Sequence, residues 1–462
     1  MNVLPYANSH YQVRTCSESH SGQLAFLCLA GFILTQAYAI PPISLPINWA
    51  LWPSLPDIFG IGMLICVLVP RTSGPISEFD RTILKGMGAI VMFTALSFII
   101  TLPLSKPGEP LKYGLFSVFL WVKYFIVFWA ATQIPLNSRR RLVLHRAALI
   151  AFLWLTLSAI ASYFGLLDLR RLVAHLPSEL AGKWSGRMLA STAWNAPGSS
   201  SIVVLVLAGL TLATTDYRKN LPLVILVILL GAVMVFLSGS RQGVIRFASF
   251  ILILLARGAR RHFLALIVIL LVSLLIIETL GGLELPKTSQ IELALSRQRY
   301  LIENPFTDEA MAGRPTLWKT AVKVLNEIPV AYFLGIKAGS FLTGYRIPEG
   351  IILAPHNMVL SLLLSGGMVA LLIYVLSYGR IFTSLWRIRY QVWPMVAVTG
   401  GMLTSTFTSG IFEASLATGW FLGLYFVCLH IAGCNSISSP ETKWRPIISA
   451  VKTTKGTRYE IY

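Results

Sequence analysis

Charge is scarce in this sequence. Asp, Glu, Lys and Arg make up 12% of it, about half of the ~25% usual in a soluble domain, so a water-solvated globular surface cannot be covered. Acid is scarcest, with 19 Asp and Glu against 38 Lys and Arg. Cysteine is sparse too: Cys16, Cys28, Cys66, Cys428 and Cys434 show no C-x-x-C spacing and avoid the loops assigned below to the outer face. Neither a disulfide framework nor a zinc site is expected. No internal repeat or low-complexity tract is evident.

Apolar residues take the place of charge, at 55% of the chain and a mean hydropathy of +0.70. Runs long enough for about 30 Å of hydrocarbon fall at Leu24–Ile40, Pro46–Val69, Leu84–Leu104, Leu111–Ile134 and Leu142–Leu167. Others follow at Gly198–Thr214, Leu221–Ser238, Gly243–Ala256, Phe263–Leu280, Asn357–Tyr378, Val392–Ile411 and Ser415–Ala432. The expected fold is all-α, a polytopic membrane protein of about twelve spans. It divides into a tail (1–23), helices one to nine (24–280, with a loop at 168–197), a large loop (281–356), helices ten to twelve (357–432) and a second tail (433–462). Ala37-Tyr38-Ala39 imitates a signal-peptide cleavage site, but the preceding charge is weak and the apolar run long, so an uncleaved first helix is expected.

With the amino terminus inside, and counting Lys85 and Arg146 at span ends with the inner connections and Lys112 with an outer one, 21 Lys and Arg fall in the inner connections and 3 in the short outer ones; long translocated loops are exempt from the comparison. Both termini are expected in the cytoplasm. Six inner acids (Glu18, Glu78, Asp80, Asp216, Glu441 and Glu460) leave +15 of the +19 net charge as an orientation signal, and nucleic acid is not implied.

Two outer connections exceed simple turns: Asp168–Pro197, about 30 residues, and Gly281–His356, about 75. In the larger, Pro315 suits a first helical turn. Leu317, Ala321, Val324, Leu325 and Ile328 then recur at helical spacing, with Lys319, Lys323 and Glu327 off the stripe. A weaker helical pattern covers Lys287–Glu303 through Ile291, Leu295 and Ile302. Both fit either helices lying on the membrane surface or a lid over an outward-facing cavity.

Charges at membrane depth are few and each needs an account. Lys123 sits in the middle of the fourth span, where it snorkels or pairs with a neighbouring helix unless it serves a substrate. Arg246 lies near the outer end of the eighth, its role open. Ser238-Gly239-Ser240-Arg241-Gln242-Gly243 makes a tight outer turn whose small residues admit a ligand close to the backbone. A lone interfacial Arg241 would by itself read as a headgroup anchor. Gly313-Arg314-Pro315-Thr316-Leu317-Trp318 and His356-Asn357, followed by Leu360 and Gly366-Gly367, fall on the same expected face.

The order Ser-Gly-Ser-Arg, Gly-Arg-x-x-x-Trp, Pro329 to Gly335, and His-Asn with Gly367 ten residues beyond Asn357 resembles the O-antigen ligase and O-antigen polymerase superfamily over about Trp194 to Gly367. Ala370 stands where a second Gly is common. The resemblance implies a glycosyltransferase of the bacterial inner membrane whose donor is a glycan on undecaprenyl diphosphate, presented at the periplasmic face. Its acceptor would be a glycan or lipid A core; membrane lipids and a chain-length regulator are further candidate partners. No cofactor or metal is called for.

The residues fit that chemistry. Arg241 and Arg314 offer paired donors that match diphosphate oxygens, and His356 titrates near neutrality, as a general base for an acceptor hydroxyl requires. The plainer reading of His356 is an interfacial histidine capping a helix. Asn357 is a candidate to orient the imidazole, and Asn195, Trp194 and Trp318 to contact sugar or pack helices. Polymerisation of repeat units and ligation of a finished glycan stay open. The rival class is a transporter or flippase, disfavoured because Asp57, Glu278 and Glu413 lie at span edges while Lys123 is alone.

Overall fold

Apolar runs become helices where a nearby polar side chain satisfies the first free N–H groups. The computed structural model describes residues 20–38, 54–68, 76–101, 111–163, 166–167, 197–237, 241–257, 314–335, 345–346, 352–353, 357–404 and 416–437. Its first helices are α1 (His20–Leu34, prolonged by a 3-10 turn), α2 (Leu55–Leu68), α3 (Glu78–Thr101), α4 (Leu111–Thr132) and α5 (Ser138–Tyr163). Asp57 Oδ2 accepts from the Ser54 N–H at 3.0 Å ahead of α2. Ser77 Oγ accepts from the Asp80 N–H at 3.0 Å ahead of α3, and Asn137 Oδ1 accepts from the Arg140 N–H at 2.8 Å ahead of α5.

Next come α6 (Pro197–Ala213), α7 (Leu221–Leu237), α8 (Arg241–Ala256), α9 (Arg314–Glu327) and the short α10 (Ala331–Leu334). The chain ends in α11 (Met358–Arg387), α12 (Trp393–Thr404) and α13 (Leu416–Ile437). A two-residue antiparallel pair joins β1 (Tyr345–Arg346) to β2 (Ile352–Leu353). Among the described residues this short pair is the extended element, and the architecture is otherwise helical, as the all-α expectation has it.

The helix α6 is the axis of the bundle. Each residue from Ser200 to Ala213 is buried, and α5, α7, α8, α12 and α13 all pack on it. A helix apolar on every side has no solvent face to present and takes the centre. The peripheral helices do the reverse: Ile65, Met92, Ile99, Leu372 and Val375 are all exposed. Apolar surface on that scale calls for lipid around it. Three of the described helices are long and apolar enough to cross a membrane: Glu78–Ile100, Ser138–Ser162 and Val359–Arg387. The protein is a helical membrane protein.

Helices fall on the expected apolar runs with shifted ends. The run expected at Asn357–Tyr378 extends to Arg387, so Gly379, a residue type that often ends a helix, does not end this one. The Phe263–Leu280 run and the Lys287–Glu303 pattern lie outside the described residues.

Lys123 pairs with a neighbouring helix, as one of its sequence readings has it, and so is not alone as the comparison with transporters took it. Its Nζ lies 2.9 Å from Asp57 Oδ1, pairing α4 with α2. One argument against coupled transport is thereby removed. Asp80 and His430, both buried, meet at 3.1 Å and tie α3 to α13. Breaking one partner of the partly buried Lys123–Asp57 pair strands a charge, so Asp57→Asn is expected to cost about 1–3 kcal/mol, below the full cost of a buried pair. Combining it with Lys123→Met should recover most of that loss in the thermal midpoint of detergent-solubilised protein. Additive losses would refute the pairing.

Candidate functional site

The amphipathic segment of the large connection forms α9, and its stripe packs inward. Ala321, Val324 and Leu325 are buried with Ala331 and Leu364, and Leu317, Tyr332, Leu360 and Leu363 pack around them. The helix thus rests on the first turns of α11. Ile328, expected on the stripe, is 38% exposed, because the helix stops at Glu327 ahead of Pro329. Lys319, Lys323 and Glu327 face away as expected, with Lys323 Nζ 3.8 Å from Glu327 Oε1.

After α9 the chain turns through α10 and stops at Gly335, whose backbone (φ 75°, ψ 175°) belongs to a region essentially reserved for glycine. Among the described residues the same region is visited again at Gly367 inside α11 (φ 64°, ψ −159°). The two glycines meet. A Cβ on Gly335 would run into the backbone of Ser365 and Gly366, and one on Gly367 into Phe333 and Leu334. Backbone approaches backbone with no side chain between. The break in α11 frees carbonyls, and that of Ser365 accepts from Ser97 Oγ of α3 at 3.2 Å. Ala370, the departure from the family pattern, is fully buried and lies where a Cβ on Gly366 would be 2.8 Å from its own. The same added Cβ on Gly366 would meet the Phe93 ring of α3 at 2.5 Å.

The expected site residues distribute as follows. Arg314 opens α9, and Arg241 opens α8. Asn357 is the N-cap of α11, its Oδ1 accepting from the Val359 and Leu360 N–H groups at 3.0 and 3.2 Å. That oxygen holds the helix start that directly follows His356. His356, Trp194 and Asn195 lie outside the described residues. Trp318 lines a hollow of about 670 Å³ along the outer flank of α9, with Pro315, Val322, Asn326, Lys319 and Lys323. Trp318, Gly335, Asn357 and Gly367 therefore belong to one packed unit. Arg241 belongs to another, in which α8 packs on α6 and α12.

Arg246, whose role the sequence leaves open, is buried in that second unit. Its Nη1 donates to Ser201 Oγ of α6 at 3.1 Å, and its Nη2 to Gln242 Oε1 at 3.4 Å. Gly401 of α12 sits against the Arg246 carbonyl, where a Cβ would come within 2.6 Å. This guanidinium clamps the first turns of α6 and α8 beside Arg241. Ser201 and Gln242 carried no recognisable signal, since their role appears only when α6 and α8 lie side by side. Among the described residues no three His, Cys, Asp or Glu side chains gather.

Alanine at Gly335 or Gly367 meets both the backbone restriction and the opposing chain, so each substitution should cost at least about 1–3 kcal/mol. Limited proteolysis of the membrane-embedded protein reads this as faster cleavage within the large connection. Unchanged cleavage in both variants would show that the contact does not hold the unit together.

No curated protein and no solved structure matches the chain. Residues 225–375 match the family model described as O-Antigen ligase; they include Arg241, the Arg314 helix, the paired glycines and His356-Asn357, and the match supports the resemblance to the O-antigen ligase and polymerase superfamily.

Proposed function

We propose that the protein is a glycosyltransferase that polymerises or ligates surface polysaccharide, taking its donor glycan from undecaprenyl diphosphate at the periplasmic face of the bacterial inner membrane. The family match over the segment carrying all three candidate chemical groups supports this reading most strongly. The packing of α9 on α11 adds to it, since one unit carries both Arg314 and the start of the helix after His356.

In this mechanism Arg241 and Arg314 hold the diphosphate and stabilise the charge that grows as the glycosidic bond breaks. An acceptor sugar hydroxyl attacks the anomeric carbon, its proton passes to His356, and undecaprenyl diphosphate departs with the bonding electrons. A single displacement inverts the anomeric centre. No metal is required, because two guanidinium groups can supply the charge. Asn357 fixes the backbone beside His356 by capping α11, and Trp318 offers an aromatic face to sugar beside Arg314. Both termini lie in the cytoplasm in this topology.

His356→Ala should lower glycan transfer by about 100-fold, the lower end of a general base's contribution, with membrane insertion unchanged. Wild-type polysaccharide in that mutant would remove His356 from the mechanism. Arg241→Lys and Arg314→Lys keep charge but lose the paired donors, and neither should restore full activity in an in vitro transfer assay. Full activity would reduce both residues to point charges. In a deletion strain, single repeats still attached would identify a polymerase and loss of all attachment a ligase.

A further inference from the structure

At the opposite ends of α8 and α12 from the Arg241 turn, guanidinium groups crowd around aromatic rings. Arg257 Cζ stacks 3.9 Å from the Tyr390 ring centre and 5.5 Å from that of Trp393. Arg389 Cζ lies 4.4 Å from the same Tyr390 ring and 4.7 Å from Trp386. Arg389 also donates to the Trp386 carbonyl at 2.8 Å and to Tyr390 Oη at 3.1 Å. The cluster is anchored to the bundle, because Trp393 Nε1 donates to the Ile253 and Leu254 carbonyls at 3.0 and 3.3 Å in the last turn of α8. Arg218, in the 214–220 turn, completes it from the side.

Two donors in this cluster are buried without a hydrogen-bond partner: Arg257 Nη1 and Tyr217 Oη. Buried donors ordinarily have an acceptor, and an orphan points to a missing group. The ion pairs among the described residues join Lys123 to Asp57, Lys219 to Asp216, Lys323 to Glu327 and His430 to Asp80, so none of them neutralises Arg257 or Arg389. Burial, and then the Arg218 and Arg389 cations, push the Arg257 pKa down from its ordinary value.

We propose that Arg257, Arg389 and Tyr217 form a binding site for a phosphate-bearing anion of the kind carried by an acidic phospholipid headgroup. Paired guanidinium donors match phosphate oxygens, and Tyr217 Oη supplies a third donor. Trp386 and Tyr390 are each 54% exposed, amphipathic rings of the type that settles at headgroup level. The site lies on the face that the cation asymmetry assigns to the cytoplasm, where basic pockets between helices take anionic headgroups. It is separate from the proposed transfer site and does not depend on it.

The test uses full-length protein in a neutral detergent, titrated with dihexanoyl phosphatidylglycerol, dihexanoyl phosphatidylcholine or inorganic phosphate. Tryptophan fluorescence follows binding. Phosphatidylglycerol should bind about tenfold or more tightly than phosphatidylcholine, and Arg257→Gln, Arg389→Gln and Tyr217→Phe should each weaken it, the two Arg variants by about tenfold. Inorganic phosphate binding with the same dependence on the variants, and no lower affinity than the lipid, would support the phosphate chemistry and assign it to a soluble ion. Equal affinity for the two lipids with no phosphate binding, or unaltered phosphatidylglycerol affinity in the Arg variants, would overturn the site. Should Arg257→Gln fail to fold, Arg389→Gln in its exposed turn decides the matter alone.

Discussion

Where Gly335 meets Gly367, two stretches of backbone lie against each other with no side chain between them. Both glycines adopt angles that a side chain would forbid, and either Cβ would enter the opposing main chain. The contact therefore sets a fixed distance between the segment after α9 and the break in α11. Around it, Leu317, Ala321, Val324 and Leu325 of α9 settle on Leu360, Leu363 and Leu364. The helix that opens at Arg314 and the helix that follows His356 become a single packed unit. Of the proposed site, this contact concerns the Arg314 helix and the helix that follows His356, while Arg241 belongs to the other unit.

Polar groups elsewhere in the bundle follow one economy. Water is absent from a lipid-surrounded core, so each polar side chain must find its partner within the protein. Lys123 finds Asp57, His430 finds Asp80, and Arg246 finds Ser201 and Gln242. These links join helices distant in sequence and fix their rotation as well as their spacing. Close approach is permitted by small residues, as where Gly401 lies against the Arg246 carbonyl. Some buried polar atoms among the described residues have no hydrogen-bond partner, Arg257 Nη1 and Tyr217 Oη of the Arg257 cluster among them.

Much of the architecture was legible in the chain itself. Apolar runs located the helices because burying a backbone in lipid leaves few alternatives to a helix, and the inward stripe of α9 followed from 3.6-residue spacing except at Ile328, where Pro329 ended the helix early. Motif order along the chain, from Ser238 to Gly367, pointed to the superfamily that the match over residues 225–375 supports. Helix ends were less legible, since the helix that follows Asn357 continues through Gly379 to Arg387.

What the chain determined by itself was local: where hydrophobicity and periodicity make helices, and where caps begin them. Pairing across distance was decided only by the tertiary structure. Lys123 beside Asp57, Arg246 beside Ser201, and Gly335 against Gly367 join positions separated by dozens of residues. The geometry of such a contact is set by how whole helices pack, and no single stretch of sequence contains that information.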